Sequence, residues 1–477
     1  MSLLRTGVQA LKWSVLGELV ARVIGPLAFL VLAWKLAPDE FGVAAAATIL
    51  ISFSQVVWDS GLSRVLVQWQ GPVDAAARVV FWLNLFSAML LGTVLFLAAE
   101  PIAVFFGEPR VASAVRVLVW QLPLSAVASV HAALLQRELA FKRLFVARFL
   151  SALATPALSI ALAFLGYGFW GLVIGALLGQ AVQTAVLWFV SPWRPGVSFD
   201  TAVMSKVWQF GRWSMFAGFL GWVFGWADAI ILGHFMGTEP LGLFRTGNSL
   251  VVMVFGLIFS PVSPVIFSLF SRTPDDLPRL REGLLFVVKA AAIIALPIAA
   301  WFFTCSTTLA SVFFPERWQG VADVLGWMAL VHGVSWLVGY HGDVYRAIGR
   351  PAVESMVAAA LAAVYVLGLS WAAHFGMLVF LQTRLSIAVV ALVMHVVVAE
   401  SVIDLRAPVW LRAVAPSALA AVSGALLLVA AKHWLADSTQ VVVVATGLTA
   451  CLYTAYLANA ERPHLQRWRS LLAGGAG

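Results

Sequence analysis

Charged residues are scarce in this sequence. Asp, Glu, Lys and Arg together make up 11% of its 477 residues, whereas 62% are hydrophobic and the mean hydropathy is +0.95. A water-soluble fold of this composition would leave a large apolar surface in contact with water, which excludes the ordinary soluble classes. The sequence therefore predicts an all-α polytopic membrane protein.

The residues of catalytic and metal-binding motifs are also scarce. Only two cysteines are present, Cys305 and Cys451, and both lie in apolar stretches, so we infer neither a disulfide framework nor a metal site. The sequence contains no CxxC or HExxH pattern and no G-x-x-x-x-G-K-[ST] phosphate loop. We therefore expect no metal chemistry, no cofactor and no ATP hydrolysis by this chain.

Apolar runs of about 20 residues or more predict about fourteen transmembrane helices. They lie near residues 12–35, 41–67, 79–99, 112–135, 145–166, 168–190, 208–234, 242–270, 284–305, 320–346, 352–373, 376–399, 410–431 and 438–459. The first run is too long for the apolar region of a signal peptide, so we expect it to remain as a span. The turns Gly166-Tyr-Gly168 and His374-Phe-Gly376 are short enough to predict two tight helical hairpins.

The basic residues are distributed unevenly between the two sides of the predicted membrane. With a cytoplasmic N-terminus, about 22 Lys and Arg residues fall on the cytoplasmic side and about 6 on the other. This bias predicts that both termini face the cytoplasm. The net charge of +8 is interpreted as a signal of orientation, not of nucleic-acid binding, because the basic residues occur in ones and twos between apolar runs.

The chain contains two related halves. Trp13-Ser14 aligns with Trp213-Ser214 at an offset of 200 residues, and the same offset places Gly42 over Gly242. Because each half holds six spans, both have one orientation, as in transporters built from parallel repeats. The predicted domains are an N-terminal six-helix bundle at 1–190, a cytoplasmic linker at 191–207, a C-terminal six-helix bundle at 208–400, and an additional helix pair with a cytoplasmic tail at 401–477.

Several short motifs resemble those of a known transporter family. They are Lys12-Trp-Ser14, Phe41-Gly42, Asp59-Ser-Gly-Leu62, Phe81-Trp-Leu-Asn84, Leu135-Gln-Arg-Glu-Leu-Ala-Phe-Lys142, Trp193-Arg-Pro195, Phe210-Gly211 and Phe314-Pro-Glu-Arg-Trp318. In this order and spacing, the sequence resembles the Wzx-type oligosaccharide and polysaccharide flippases of the multidrug/oligosaccharidyl-lipid/polysaccharide superfamily. It most resembles the branch of colanic acid and teichuronic acid exporters. The resemblance is clearest in the first ten spans and fades in the last two.

The resemblance implies two six-helix bundles around a central cavity, with a peripheral helix pair, in the bacterial cytoplasmic membrane. It implies a flippase that moves an undecaprenyl-pyrophosphate-linked oligosaccharide to the outer leaflet by alternating access, for exopolysaccharide, O-antigen or capsule synthesis. A polysaccharide polymerase and a chain-length regulator are the protein partners that it implies. Because a pyrophosphate and a hydrated glycan cannot cross about 30 Å of hydrocarbon unaided, the protein must offer them a polar interior route.

Charged residues inside the spans are the candidates for that route, because a charge at a span centre costs on the order of 3 kcal/mol. Glu18 and Arg22 lie four residues apart on one helical face. They form either an ion pair or a site where Arg22 binds phosphate. Arg384 has no carboxylate within four residues on its own helix. It is the strongest candidate for an anionic-ligand contact, and a buried ion pair with another span is the alternative.

The remaining charged candidates are each open to two interpretations. Arg64, Arg148 and Lys289 lie toward cytoplasmic span ends, where they either bind the substrate headgroup or extend to lipid phosphates. Asp228 either binds a coupling cation or proton, or neutralises Arg245 at the outer end of the next span.

Two further carboxylates lie near the cytoplasmic ends of their spans. Asp59 and Asp343 are predicted to act at a gate or as capping residues.

Three other functions remain open besides the flippase: an ion-coupled multidrug or metabolite antiporter of the same superfamily, a lipid II flippase, and a membrane glycosyltransferase or polymerase. If the protein is an antiporter, we expect its cavity to be dominated by carboxylates and aromatic residues. The enzyme would need larger extramembrane loops than this sequence contains.

Overall fold

The computed structural model describes residues 23–59, 63, 66–67, 69–196, 201–271, 276–435 and 439–460, and for some of these only the backbone. Within these ranges all regular secondary structure is helical, which confirms the all-α prediction. Ten helices of this part are long and apolar enough to cross a membrane by length and composition. The protein is therefore a multi-pass membrane protein, and the number of fourteen spans stays a prediction.

The chain divides into two compact units. Unit 1 comprises Met1–Ser249 and Leu369–Met377, and unit 2 comprises Leu250–Gly368 and Leu378–Gly477. These units follow from packing in the folded chain, whereas the predicted domain boundaries rest on the sequence repeat. Those boundaries therefore stay a prediction.

Unit 1 is an all-helical bundle. Its helices are α1 (Val23–Ala33), α2 (Pro38–Asp59), α3 (Val73–Leu97), α4 (Ala99–Phe106), α5 (Arg110–Leu118), α6 (Gln121–Arg137), α7 (Phe141–Phe164), α8 (Trp170–Val190), α9 (Thr201–Met236) and the N-terminal part of α10 (Thr238–Phe259). Asp39 and Glu40 lie in the first turn of α2, where carboxylates stabilise the partial positive charge of a helix N-terminus.

Helices α7 and α8 pack closely because small residues face each other. A Cβ at Gly175 of α8 would lie 2.0 Å from the Ser159 hydroxyl oxygen of α7, and a Cβ at Gly179 would lie 1.7 Å from the Thr155 hydroxyl oxygen. Glycine at these two positions lets the helices approach, as small residues do in membrane helix pairs. This packing brings Ser159 and Thr155 into the interior of unit 1.

Unit 2 is also helical. It contains the rest of α10, then α11 (Ser263–Phe270), α12 (Leu277–Phe313), a short 3-10 helix (Glu316–Trp318), α13 (Val321–Val338), α14 (His341–Ala347), most of α15 (Pro351–Ala372), most of α16 (Met377–Ile403), α17 (Ala407–Leu435) and α18 (Thr439–Ala460). Leu284, Val288, Leu337, Val344 and Trp410 belong to its buried core. Asp276 caps α12 by accepting a hydrogen bond from the Arg279 N–H (3.1 Å).

The two predicted helical hairpins are confirmed. Helix α7 ends at Phe164 and α8 begins at Trp170, and the turn between them places Gly166 and Gly168 at positive φ (87° and 55°). In the second hairpin, Gly376 has φ 95° between α15 and α16. Residues with a Cβ rarely adopt this left-handed conformation, so glycine permits both tight turns.

The segment predicted as a linker is partly helical and partly attached to α3. Helix α9 begins at Thr201, inside the predicted linker 191–207. Before it, the Trp193 indole N–H donates a hydrogen bond to Asp74 Oδ1 (2.9 Å). The N-terminal part of this segment is therefore attached to α3.

Candidate functional site

Unit 1 contains a partly open cavity of about 280 Å³. Its walls come from α1, α2, α7, α8, α9 and α10, and most of the lining is apolar. Hydroxyl-bearing residues also line it: Thr48, Thr155, Ser159, Thr246 and Ser249. Among the described residues of the lining, Arg245 is the one charged group, so the cavity has a cationic wall and no carboxylate.

The guanidinium of Arg245 is held against an aromatic ring. Its central carbon lies 4.1 Å from the ring centre of Trp226, which fixes it by a cation–π contact. No hydrogen bond or ion pair joins this half-buried guanidinium to any residue that the structure describes. A guanidinium has five N–H donors. Arg245 can therefore donate hydrogen bonds to an anion in the cavity.

Asp228 lies on α9, two residues after Trp226, and is buried (4% exposed). Its Oδ1 accepts a hydrogen bond from the Ala229 N–H (2.8 Å). The carboxylate attracts Arg245 through space. A coupling role for Asp228 stays a prediction.

Arg384 lies in unit 2, on α16, and is half-buried. Its guanidinium carbon lies 4.6 Å from the ring centre of Tyr365 on α15, a residue that is 2% exposed. The charge of Arg384 also acts on the imidazole of His332 on α13. The guanidinium is therefore held among helices of unit 2 by an aromatic contact, as Arg245 is in unit 1.

Asp343 lies in the first turn of α14 and belongs to an ion-pair cluster. It is buried (7% exposed) and forms an ion pair with Arg346, whose Nε lies 3.4 Å from Glu354 Oε2 on α15. The cluster joins α14 to α15, and a gating role for Asp343 stays a prediction.

The other predicted site residues do not gather around the cavity in the described part of the chain. Arg148 on α7 is exposed and Lys289 on α12 is half-buried. Glu18, Arg22 and Arg64 lie outside the described residues, and the side chain of Asp59 does as well. Their assigned roles stay predictions.

Three residues at the predicted outer face of unit 1 form what we call the outer ion cluster: Asp39, Glu108 and Arg110. Arg110 Nη2 lies 2.9 Å from both Asp39 Oδ2 and Glu108 Oε2. The side-chain hydrogen bond from Arg110 holds the pKa of Glu108 below its ordinary value of 4.5, because it stabilises the ionised carboxylate. This cluster links the α1–α2 turn to the segment between α4 and α5.

Sequence reasoning interpreted Arg245 only as a partner of Asp228. A signal for its cavity position was present in α10, where Arg245, Asn248 and Ser249 follow the i, i+3, i+4 spacing of one helical face. The contribution of Thr48 from α2 was missed, because the sequence does not show which face of α2 meets α10.

The chain has recognisable relatives. Residues 31–323, more than half of the chain, match the family model described as polysaccharide biosynthesis protein. The succinoglycan biosynthesis transport protein ExoT of Rhizobium meliloti (strain 1021) is 24% identical over 330 residues, which cover 69% of this chain and 67% of ExoT. The teichuronic acid biosynthesis protein TuaB of Bacillus subtilis (strain 168) is 24% identical over 342 residues, which cover 71% of each chain.

A solved structure shares the fold. The lipid II flippase MurJ in an inward closed conformation matches with a TM-score of 0.79 over 95% of this chain and 99% of that chain. The sequence identity is 13%, so this likeness concerns the fold alone.

Proposed function

Because the chain belongs to the polysaccharide biosynthesis protein family, we propose that it is a flippase for a lipid-linked oligosaccharide in surface polysaccharide synthesis. It is a transporter rather than an enzyme, in keeping with the transport protein ExoT among its relatives. The similarity to TuaB agrees with the resemblance to teichuronic acid exporters. The proposed substrate is an undecaprenyl-pyrophosphate-linked repeat unit, translocated by alternating access.

The observation that carries the proposal is Arg245 in the cavity of unit 1. Its guanidinium has a stacking contact with Trp226 but no hydrogen-bond acceptor among the described residues. A charge inside a membrane span costs on the order of 3 kcal/mol, and an interior cation without an acceptor is disfavoured unless a ligand or water completes it. A phosphate offers paired oxygens that match the planar guanidinium, so we assign Arg245 to the pyrophosphate.

The chemistry of the cavity favours this function over the antiporter. A cation-coupled antiporter is expected to place carboxylates in its cavity, whereas the lining of this one in the described residues has Arg245 and no carboxylate. The hydroxyl groups of Thr48 and Ser249 already donate to backbone carbonyls, of Ala44 (2.7 Å) and Arg245 (2.6 Å), and so remain acceptors. The charge of the cavity thus suits an anion.

The location and partners follow from the same proposal. We place the chain in the bacterial cytoplasmic membrane with both termini in the cytoplasm, on the bias of its basic residues. We expect it to act beside a polysaccharide polymerase, which consumes the flipped unit, and a chain-length regulator.

Arg384, held against Tyr365 in unit 2, is proposed as a second cationic contact for the substrate.

The test is a leaflet-accessibility assay. Purified protein is reconstituted in liposomes with a fluorescent undecaprenyl-pyrophosphate oligosaccharide in both leaflets, and a membrane-impermeant quencher is added outside. Flipping by the wild-type protein removes nearly all of the signal, whereas protein-free vesicles lose about half, because only their outer leaflet is accessible. A signal that stays near half, with and without proton or sodium gradients, contradicts the proposal and directs the next assay to drug efflux.

The site itself is tested with two variants in the same assay. Arg245→Gln is expected to slow the loss of signal strongly, because the cavity loses its cation. Arg412→Gln is the matched control, since Arg412 is an exposed arginine on α17. Equal rates for Arg245→Gln and wild type would refute the role of Arg245 and leave the flippase assignment standing.

A further inference from the structure

Two helices of unit 1 carry complementary faces next to the cavity. On α2, the polar residues Thr48, Ser52 and Gln55 follow the spacing i, i+4, i+7 of a single helical face. On α9, the aromatic residues Phe219, Trp222 and Trp226 follow the spacing i, i+3, i+7. A polar stripe and an aromatic stripe of equal length thus run along two helices that are distant in sequence.

Contacts between the two helices show that the stripes meet. The Trp222 indole N–H donates a hydrogen bond to the Ser52 hydroxyl oxygen (3.0 Å). The ring centre of Trp222 lies 4.9 Å from that of Phe53 on α2. The ring planes of Phe219 and Trp222 are nearly parallel, with centres 6.5 Å apart.

The paired stripes are continuous with the Arg245 cavity. Thr48, at one end of the polar stripe, and Trp226, at the same end of the aromatic stripe, both line that cavity. From Trp226 to Phe219 the stripe covers about 10 Å along the helix axis, at about 1.5 Å per residue. A ligand that holds its phosphate at Arg245 can therefore extend along the stripes.

The polar stripe has the properties of a surface that meets water or a polar ligand. Gln55 is half-buried, and its amide makes no hydrogen bond with any residue that the structure describes. An amide without partners in contact with lipid tails would cost several kcal/mol, because hydrocarbon supplies no donor or acceptor. The face that carries Gln55 is therefore turned toward a polar medium.

Space is available beside the aromatic rings. Gly221 and Gly225 on α9 are exposed, and a Cβ at either position would meet no atom of the described residues within 4 Å. These residues precede and follow Trp222 by one and three positions, so neither places a side chain beside its indole. Flat aromatic rings next to open space and to hydroxyl and amide groups suit a sugar, whose ring has an apolar C–H face and a polar hydroxyl edge.

We propose that the facing stripes of α2 and α9 bind the glycan of the transported lipid, and we call them the glycan track: Thr48, Ser52, Gln55, Phe219, Trp222 and Trp226. Trp222 and Phe219 stack on pyranose rings, and Gln55 binds hydroxyl groups. This inference rests on the proposed flippase function, and it assigns the phosphate to the Arg245 cavity and the sugar to the stripes that extend from it. Substrates with neutral hexoses suit the track, since its described side chains carry no charge.

The test compares two ligands that differ only in the sugar. Binding to purified protein in lipid nanodiscs is measured for undecaprenyl pyrophosphate and for the same lipid carrying an oligosaccharide of neutral hexoses. Trp222→Ala and Gln55→Leu are each expected to weaken binding of the glycosylated lipid about tenfold and to leave the sugar-free lipid unchanged. Trp434→Ala, which removes an exposed tryptophan of α17, is the control and should change neither.

A further variant tests the same site in case the first substitutions prevent folding. Gly225→Leu fills the open space beside Trp222 and keeps every side chain of the track, so it should fold and weaken only the glycosylated ligand. Equal weakening of both ligands in the track variants, or of neither, overturns the glycan track. Failure of the wild-type protein to bind either ligand overturns the proposed function instead, and a loss of both ligands confined to Arg245→Gln supports the division of roles.

Discussion

Gly42 and Gly242 each lie against the backbone at the start of the other's helix. A Cβ at Gly42 of α2 would lie 1.7 Å from the carbonyl oxygen of Thr238, the first residue of α10. A Cβ at Gly242 of α10 would lie 1.8 Å from the carbonyl oxygen of Pro38, the first residue of α2. The contact is reciprocal, because the 200-residue offset of the sequence repeat relates Gly42 to Gly242 and Pro38 to Thr238.

Gly42→Ala should destabilise unit 1, because the new methyl group would overlap a carbonyl that belongs to helical backbone and cannot rotate away. We expect a loss of about 1–3 kcal/mol in the free energy of unfolding, the usual range for overpacking. Thermal unfolding of the purified protein measures it. Gly447→Ala is the control, because a Cβ at that position of α18 meets no atom of the described residues within 4 Å. Equal melting temperatures for the two variants would contradict the close approach.

Arg245→Met should separate stability from binding. Arg245 is attracted by the buried carboxylate of Asp228, so the variant also carries Asp228→Asn to avoid leaving that carboxylate without its counter-charge. Because the guanidinium has no hydrogen-bond partner in the described structure, the ligand-free double variant should be as stable as the wild type or more stable. Affinity for undecaprenyl pyrophosphate should fall by about 1.5–3 kcal/mol, the value of hydrogen bonds to charged groups. Melting curves with and without this lipid measure both effects. A destabilised ligand-free variant would indicate a structural role instead.

Arg384→Lys should impair transport although it keeps the charge. A guanidinium stacks flat on a tyrosine ring and presents paired donors, whereas an ammonium does neither as well. Tyr365→Phe keeps the stacking ring and should behave as the wild type. The initial rate of quenching in the liposome assay measures both variants. Wild-type rates for Arg384→Lys would show that only its charge is used.

The outer ion cluster should make the free energy of unfolding depend on pH in the acid range. The pKa of Glu108 is lower in the folded protein than its ordinary value of 4.5, so its ionised form stabilises the fold. This contribution is complete above pH 4.5 and is lost as the pH falls through the lower folded-state pKa. Glu108→Gln should therefore cost about 1 kcal/mol at neutral pH, and this cost should shrink as the pH falls through the folded-state pKa of Glu108.

The measurement is the difference in melting temperature between Glu108→Gln and the wild type across that pH range. Glu100→Gln serves for comparison, because Glu100 pairs with Arg116 (2.9 Å) but its side chain is 65% exposed, so solvent screens the pair. A Glu108→Gln difference that is the same at neutral and acid pH would exclude this linkage.

The helices and the tight turns were predictable because their signals are local. Apolar length identifies a span wherever it packs, and Gly166 and Gly376 mark turns whose φ only glycine adopts readily. Intramembrane charge also identified Arg384 as unusual. The start of α9 at Thr201 was missed, because the polar residues before its apolar run are part of the same helix.

The sequence by itself determined that this protein is helical, lies in a membrane and belongs among transporters, because hydropathy and short motifs are properties of neighbouring residues. Only the tertiary structure decided that Thr48 and Arg245 share a cavity, and that Ser52 meets Trp222. Each of these pairs joins helices far apart in the chain. Which faces of two helices meet depends on their rotation and crossing, and close backbone approaches such as Gly42 against Thr238 set both.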